Sequence, residues 1–135
     1  MKYLLIILFT SSFYITYGQG NKLRLCSVVL TEISEQWRAD SLGTNGFRNT
    51  VLQQVQNCKV DSITKSFLFA KLGKPQHRHM FYVGVKKKWY VGFRYNVSIR
   101  RGHENDTPFQ GSYVQFVFDE HEKMMLEITT GEVCS

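Results

Sequence analysis

The chain has 135 residues, of which 17 are Lys or Arg and 11 are Asp or Glu, for a net charge of +6. This length suits one domain and excludes two-domain enzymes, Rossmann dehydrogenases and barrels by size. Apolar residues at 43% and charged residues at 21% exclude global disorder, and 14% aromatics favour a packed core with β-structure.

Residues 1–18 read MKYLLIILFTSSFYITYG. One positive charge at Lys2 precedes an apolar run of about seven residues, against roughly 20 for a membrane span. Thr16 and Gly18 put small residues before a cut at Gln19, so the segment reads as a secretory signal peptide. Residues 19–135 are the expected single domain, exported to the periplasm or beyond and without a transmembrane span. Arg24 close before Cys26 excludes a lipobox. The three cysteines are Cys26, Cys58 and Cys134, an odd number. In an oxidising compartment one bridge and one leftover thiol are expected, and the three pairings stay open. A bridge to Cys134 would tie down a C-terminus whose Thr129-Thr130-Gly131-Glu132 lead-in reads as loose. No zinc spacing is present.

The N-terminal half reads as helical. Leu30, Ile33 and Trp37 share one face of a short helix. Ser41-Leu42-Gly43-Thr44-Asn45-Gly46 is a strong turn signal. Phe47, Val51 and Val55 mark a second helix ending near Cys58. Asp61 or Ser62 would cap a third, with Ile63, Phe67 and Ala70 on its apolar face. Gly73 and Pro75 end it.

The C-terminal half switches to period two. Phe81, Val83 and Val85 alternate, and Lys86-Lys87-Lys88 would form the next turn. Trp89, Val91, Phe93, Tyr95, Val97 and Ile99 then form one buried face, with Arg94 and Arg100 on the wet side. A polar loop follows up to Gly111. Val114, Phe116 and Phe118 alternate, and so do Met124, Leu126 and Ile128, on either side of an acidic turn. Helices followed by four strands predict an α+β fold. An N-terminal helix-loop-helix segment would pack on one face of a four-stranded antiparallel meander sheet, the face carrying Trp89, Phe93 and Phe116.

Two stretches carry a family likeness. The segment WRADSLGTNGFR, residues 37–48, resembles a W-x-x-D-S-x-G-C-N-G-x-R signature of small exported proteins of Bacteroidetes-type bacteria. Leu72-Gly73-Lys74-Pro75 resembles the L-G-x-P that ends the second helix of SmpA/OmlA small lipoproteins and of the β-lactamase-inhibitor-protein-like fold. The likeness covers residues 37–118. It implies a helix-loop-helix before an antiparallel sheet, and a non-catalytic envelope protein that binds or scaffolds other proteins. Thr44 stands where the signature has Cys, so a bridge from that position does not carry over, nor does lipid tethering. The motif also has a local reading as a structural clasp. Gly43 and Gly46 permit positive φ, Asn45 supports the turn, Asp40 could reach Arg48, and Trp37 would pin the first helix. The alternative is a ligand or partner site on Trp37, Asp40, Asn45 and Arg48.

The chain lacks G-x-S-x-G, H-E-x-x-H and P-loop patterns, so no enzyme chemistry is expected. His77 and His79 form H-x-H, but Lys74 and Arg78 flank them and no third ligand is evident, so they read as loop histidines. No metal or cofactor is expected. Lys86, Lys87, Lys88, Tyr90, Arg94 and Arg100 form a candidate basic face. The export signal turns that charge away from nucleic acid and toward an envelope protein or an anionic surface. Two sequons, Asn96-Val97-Ser98 and Asn105-Asp106-Thr107, would matter only in a eukaryotic secretory pathway. The leading expectation is an exported, non-enzymatic scaffold or binding protein. The second is a binding module for an anionic small ligand or polysaccharide on the outer sheet face, around Tyr90, Arg94 and Arg100.

Overall fold

The computed structural model describes residues 23–100 and 110–134. The signal-peptide reading and most of the polar loop before Gly111 fall outside them. Three helices come first: α1 (Cys26–Ala39), α2 (Phe47–Asn57) and α3 (Lys65–Leu72). Four strands follow: β1 (His77–Val83), β2 (Lys88–Arg100), β3 (Gln110–Asp119) and β4 (Met125–Cys134). They pair antiparallel in the order β1-β2-β3-β4, the α+β meander expected from the period switch.

Helix α1 buries Cys26, Val29, Leu30, Ile33, Ser34 and Trp37, a stripe at helical spacing that faces the core. Its own N-terminal residue Leu25 offers no side-chain cap. Asp61 supplies one from outside, accepting from the Ser27 backbone N–H at 3.0 Å. Asp61 was expected on α3, which is instead capped by Thr64, whose Oγ1 accepts from Phe67 N–H at 3.2 Å. A carboxylate at the α1 N-terminus also meets the positive end of the helix dipole. The Cys26–Cys58 disulfide ties the start of α1 to the end of α2. Beside it, Lys59 bridges two residues of the chain entering α1: its N–H donates to Arg24 O, and its carbonyl accepts from Cys26 N–H. Gly73, at φ +79°, ends α3, and its N–H reaches back to Phe69 O.

The core lies between these helices and one face of the sheet. Val91, Phe93, Tyr95, Val97, Val114, Phe116, Phe118 and Met125 supply the sheet side. Edge-to-face aromatic pairs run through it, Trp37–Tyr95, Tyr95–Phe116, Phe93–Phe118 and Phe69–Phe93. The buried Tyr95 hydroxyl donates to Gly73 O at 2.7 Å, and burial raises its pKa.

Several strand details differ from the sequence reading. Val85 is 98% exposed in the 84–87 turn, so β1 ends at Val83 and starts earlier, at His77. Lys88 already belongs to β2. Trp89 shares the parity of Phe93 but is 48% exposed, because the helices do not reach that corner. In β4, Met125 is buried while Met124 and Leu126 are exposed. A register shift pairs Val117 with Glu127 but Phe118 with Met125, so Leu126 is the extra residue of a bulge and the alternation reverses there. A second register shift, between Asn96 and Ser98, leaves Val97 without a cross-strand partner, yet Val97 stays buried in the expected row. Thr129, Thr130, Gly131 and Glu132 are paired residues of β4, not a loose tail.

Candidate functional site: the clasp and the open sheet face

The Trp37–Arg48 segment folds into a buried clasp. Asp40 Oδ1 accepts from the backbone N–H groups of Thr44 (2.8 Å) and Asn45 (3.1 Å). Asn45 Oδ1 accepts from Phe47 N–H, so its side chain builds the entry to α2. Gly43, at φ +70°, lies so close to β2 that a Cβ there would stand 2.6 Å from Asn96 O. Arg48 is 1% exposed and crosses the gap between layers. Its Nη2 and Nε donate to Trp37 O, at 3.1 and 3.4 Å, and its Nη1 donates to Asn96 O at 2.8 Å. The guanidinium also lies 4.6 Å over the Trp37 ring. Burial lowers the Arg48 pKa, and the charge of nearby Asp40 opposes that. The direct reach of Asp40 to Arg48 is replaced by this division of labour: the carboxylate holds the loop, and the guanidinium holds the carbonyls. Trp37, Asp40 and Arg48 are buried and serve the clasp, whereas Ser41, Leu42, Thr44 and Asn45 line its exposed outer side.

The other face of the sheet carries no helix among the described residues. Here side chains from all four strands form one transverse chain. Arg94 Nη2 lies 3.3 Å from His79 Nε2, and Arg94 Nε donates to Gln115 Oε1 at 2.8 Å. Gln115 Nε2 then donates to Thr129 Oγ1 at 3.4 Å. Two glycines make room for it. A Cβ at Gly92 would stand 2.8 Å from both Gln115 and His79, and a Cβ at Gly131 would run into the Tyr113 ring. The ring thus lies across Gly131, and the Arg94 guanidinium stacks on it at 4.3 Å. A guanidinium has five N–H donors. Two of Arg94's contacts are to neutral partners, and among the described residues no carboxylate pairs with it.

Next to this chain stands a row of stacked rings. His79 and Phe81 are 5.5 Å apart at 28°, and Phe81 and Tyr90 are 5.8 Å apart at 26°. Lys86 Nζ closes the row, 5.8 Å from the Tyr90 ring. Lys88 lies in the same β2 row as Tyr90 and Arg94. Lys87, at φ +50°, stands at the turn. Arg100 pairs with Gln110 beyond the β2 register shift, and its side chain falls outside the described residues. The two histidines are strand residues of β1, not loop residues. Among the described residues no group of three His, Cys, Asp or Glu comes together around a common point.

Burial pushes the His79 pKa below the ordinary 6.5, and the charges of Arg94 and His77 push the same way. Neutral His79 accepts from Arg94 at Nε2, which puts its proton on Nδ1, a buried atom with no partner. The folded state therefore resists a proton that the unfolded chain accepts. The stabilisation is complete above pH 6.5 and is lost as pH falls through the folded pKa. Glu122, lowered by its hydrogen bond to Lys65 and by Arg78, acts only below its ordinary 4.5, so the two windows separate. We expect denaturation midpoints to drop between pH 7 and 5, and His79→Gln to flatten that slope. An unchanged slope in the variant would remove His79 as its source.

A third surface lies at the sheet corner beyond the helices. Tyr82 (51% exposed) and Trp89 (48%) face each other with ring centroids 5.3 Å apart, and Met80 is exposed beside them.

The residues that complete the outer chain, Gln115, Thr129, Tyr113 and the two glycines, were not singled out by the sequence. Parity assigned Arg94 and Tyr90 to the wet face. Which residues of β1, β3 and β4 stand beside them depends on register, which three loops and two bulges set. Compared with protein-family models, curated proteins and solved structures, the chain matches none.

Proposed function

We propose that this chain is an exported, non-enzymatic binding protein of the cell envelope that takes anionic groups on the open face of its sheet. The observation that carries the proposal is Arg94. Its half-buried guanidinium is held in place by Gln115, His79 and Tyr113, all neutral, and its remaining donors have no carboxylate among the described residues. A positioned charge without an internal counter-ion is best balanced by an external anion, and a carboxylate matches the fork. Export is supported by the character of residues 1–18 and by the Cys26–Cys58 disulfide, which suits an oxidising compartment. The helix-then-sheet order and the Leu72-Gly73-Lys74-Pro75 corner support the likeness to the SmpA/OmlA group.

The test is a nitrogen-15 NMR titration of the purified protein with glucuronate and, in parallel, with glucose. Glucuronate should shift Arg94 Nε and the Gly92 amide, glucose should not, and Arg94→Gln should abolish the response. Equal shifts with both sugars, or shifts that persist in Arg94→Gln, would reject the reading. A second reading, contact with a protein partner, is favoured by the exposed Met80, Tyr82 and Trp89 corner.

A further inference from the structure

We propose that the anion is one group of a linear, carboxylated polysaccharide that runs along β2 from Arg94 to Lys88. The inference rests on the anion reading of Arg94 and extends it to the whole row. Arg94 and Lys88 occupy the same alternating row of β2, about 20 Å apart at the usual rise per residue. Lys86 joins the Lys88 end through its stack on Tyr90.

What lies between the two cationic ends favours an anionic chain. His79, Phe81 and Tyr90 turn their faces to one another at 26–28°, so the ring edges are left for solvent. An aromatic edge carries partial positive charge and its face partial negative charge. Cations at the ends and ring edges in the middle make one strip of a single electrostatic sign.

The same geometry selects among polyanions. Bases of a single-stranded nucleic acid bind by stacking on open aromatic faces. Here the faces are taken by neighbouring rings. An anionic membrane is a plane and would need the whole sheet face. The next strands carry acids on that face, Asp119 opposite Tyr90 and Glu127 opposite Val117. Asp119 is partly satisfied by Lys123 N–H, whereas Glu127 is exposed. The positive strip is therefore about two strands wide, roughly 10 Å. That width suits one extended chain with carboxylates along it.

The experiment is calorimetric titration of the purified protein with a decameric oligogalacturonate, its fully methyl-esterified form, a dT12 oligonucleotide and phosphatidylglycerol vesicles. The oligogalacturonate should bind, more weakly as salt rises, and the ester should not. Arg94→Gln should weaken binding about tenfold, the worth of a charge-assisted hydrogen bond, and Lys86→Gln with Lys88→Gln several-fold. Unchanged thermal midpoints would confirm that these surface variants fold. Equal binding of the ester would overturn the proposal, and so would tighter binding of the oligonucleotide or the vesicles. If the decamer binds no more tightly than monomeric glucuronate, the strip falls while the anion reading of Arg94 stands. If the decamer binds but Arg94→Gln has no effect, both the strip's end point and the anion reading fall.

Discussion

Replacing Arg48 by methionine is expected to cost about 3–5 kcal/mol of folding stability, the range for breaking a buried charged network. Methionine keeps much of the volume, so the loss is not chiefly a cavity. It comes from two buried carbonyls, Trp37 O and Asn96 O, that lose their donors. An unsatisfied buried acceptor costs about 1–3 kcal/mol. The cation–π contact with Trp37 adds about 1–2 kcal/mol more. Lysine at position 48 should recover only part of this, since an ammonium cannot span both carbonyls as the planar fork does. Urea unfolding of the two variants is the measurement, with the midpoint falling and the slope unchanged. A loss below about 1 kcal/mol would show that Arg48 is not the clasp's linchpin. It would return residues 37–48 to the status of a partner site.

The second large effect is expected at the disulfide. Changing Cys26 and Cys58 together to alanine should destabilise the fold by about 4 kcal/mol, as expected for a loop closed over a sequence separation of 32. The bridge fastens the start of α1 to the end of α2, so its loss frees the chain at the point where Asp61 caps α1. The backbone bonds of Lys59 with positions 24 and 26 remain and should keep the native arrangement as the lowest state. Denaturation with and without reductant checks this, and the reduced wild type should match the double variant. Non-reducing peptide mapping should recover Cys26 joined to Cys58. A bridge to Cys134, or a reductant effect below about 1 kcal/mol, would contradict it.

These two expectations bear on different questions from the binding experiments. Arg48 and the disulfide stabilise the helical layer and its join to β2. Arg94 stands on the opposite face, where its partners are side chains of the open sheet surface rather than backbone carbonyls of the core. Stability should therefore be sensitive to Arg48 and indifferent to Arg94, and anion binding the reverse. That separation follows from burial: one guanidinium is enclosed by backbone carbonyls, the other is held at an open surface by side chains.

The sequence by itself determined the order of the elements, because helical and strand periodicity are local properties of the chain. It also determined that Gly43 and Gly46 sit at a turn, and that Arg94 and Tyr90 share a strand face, since alternation needs no partner strand. It left the cysteine pairing open, because α1 and α2 meet only once the chain is packed. It placed Ile128 on the core side but misplaced Met124 and Leu126, because a bulge at Leu126 inserts one residue and puts Met125 inward ahead of it. It credited Asp61 to the nearest helix, whereas packing delivers that carboxylate to α1. The polar chain from His79 to Thr129 belongs wholly to tertiary structure. Its members come from four strands, and only cross-strand register decides which side chains lie within hydrogen-bond reach.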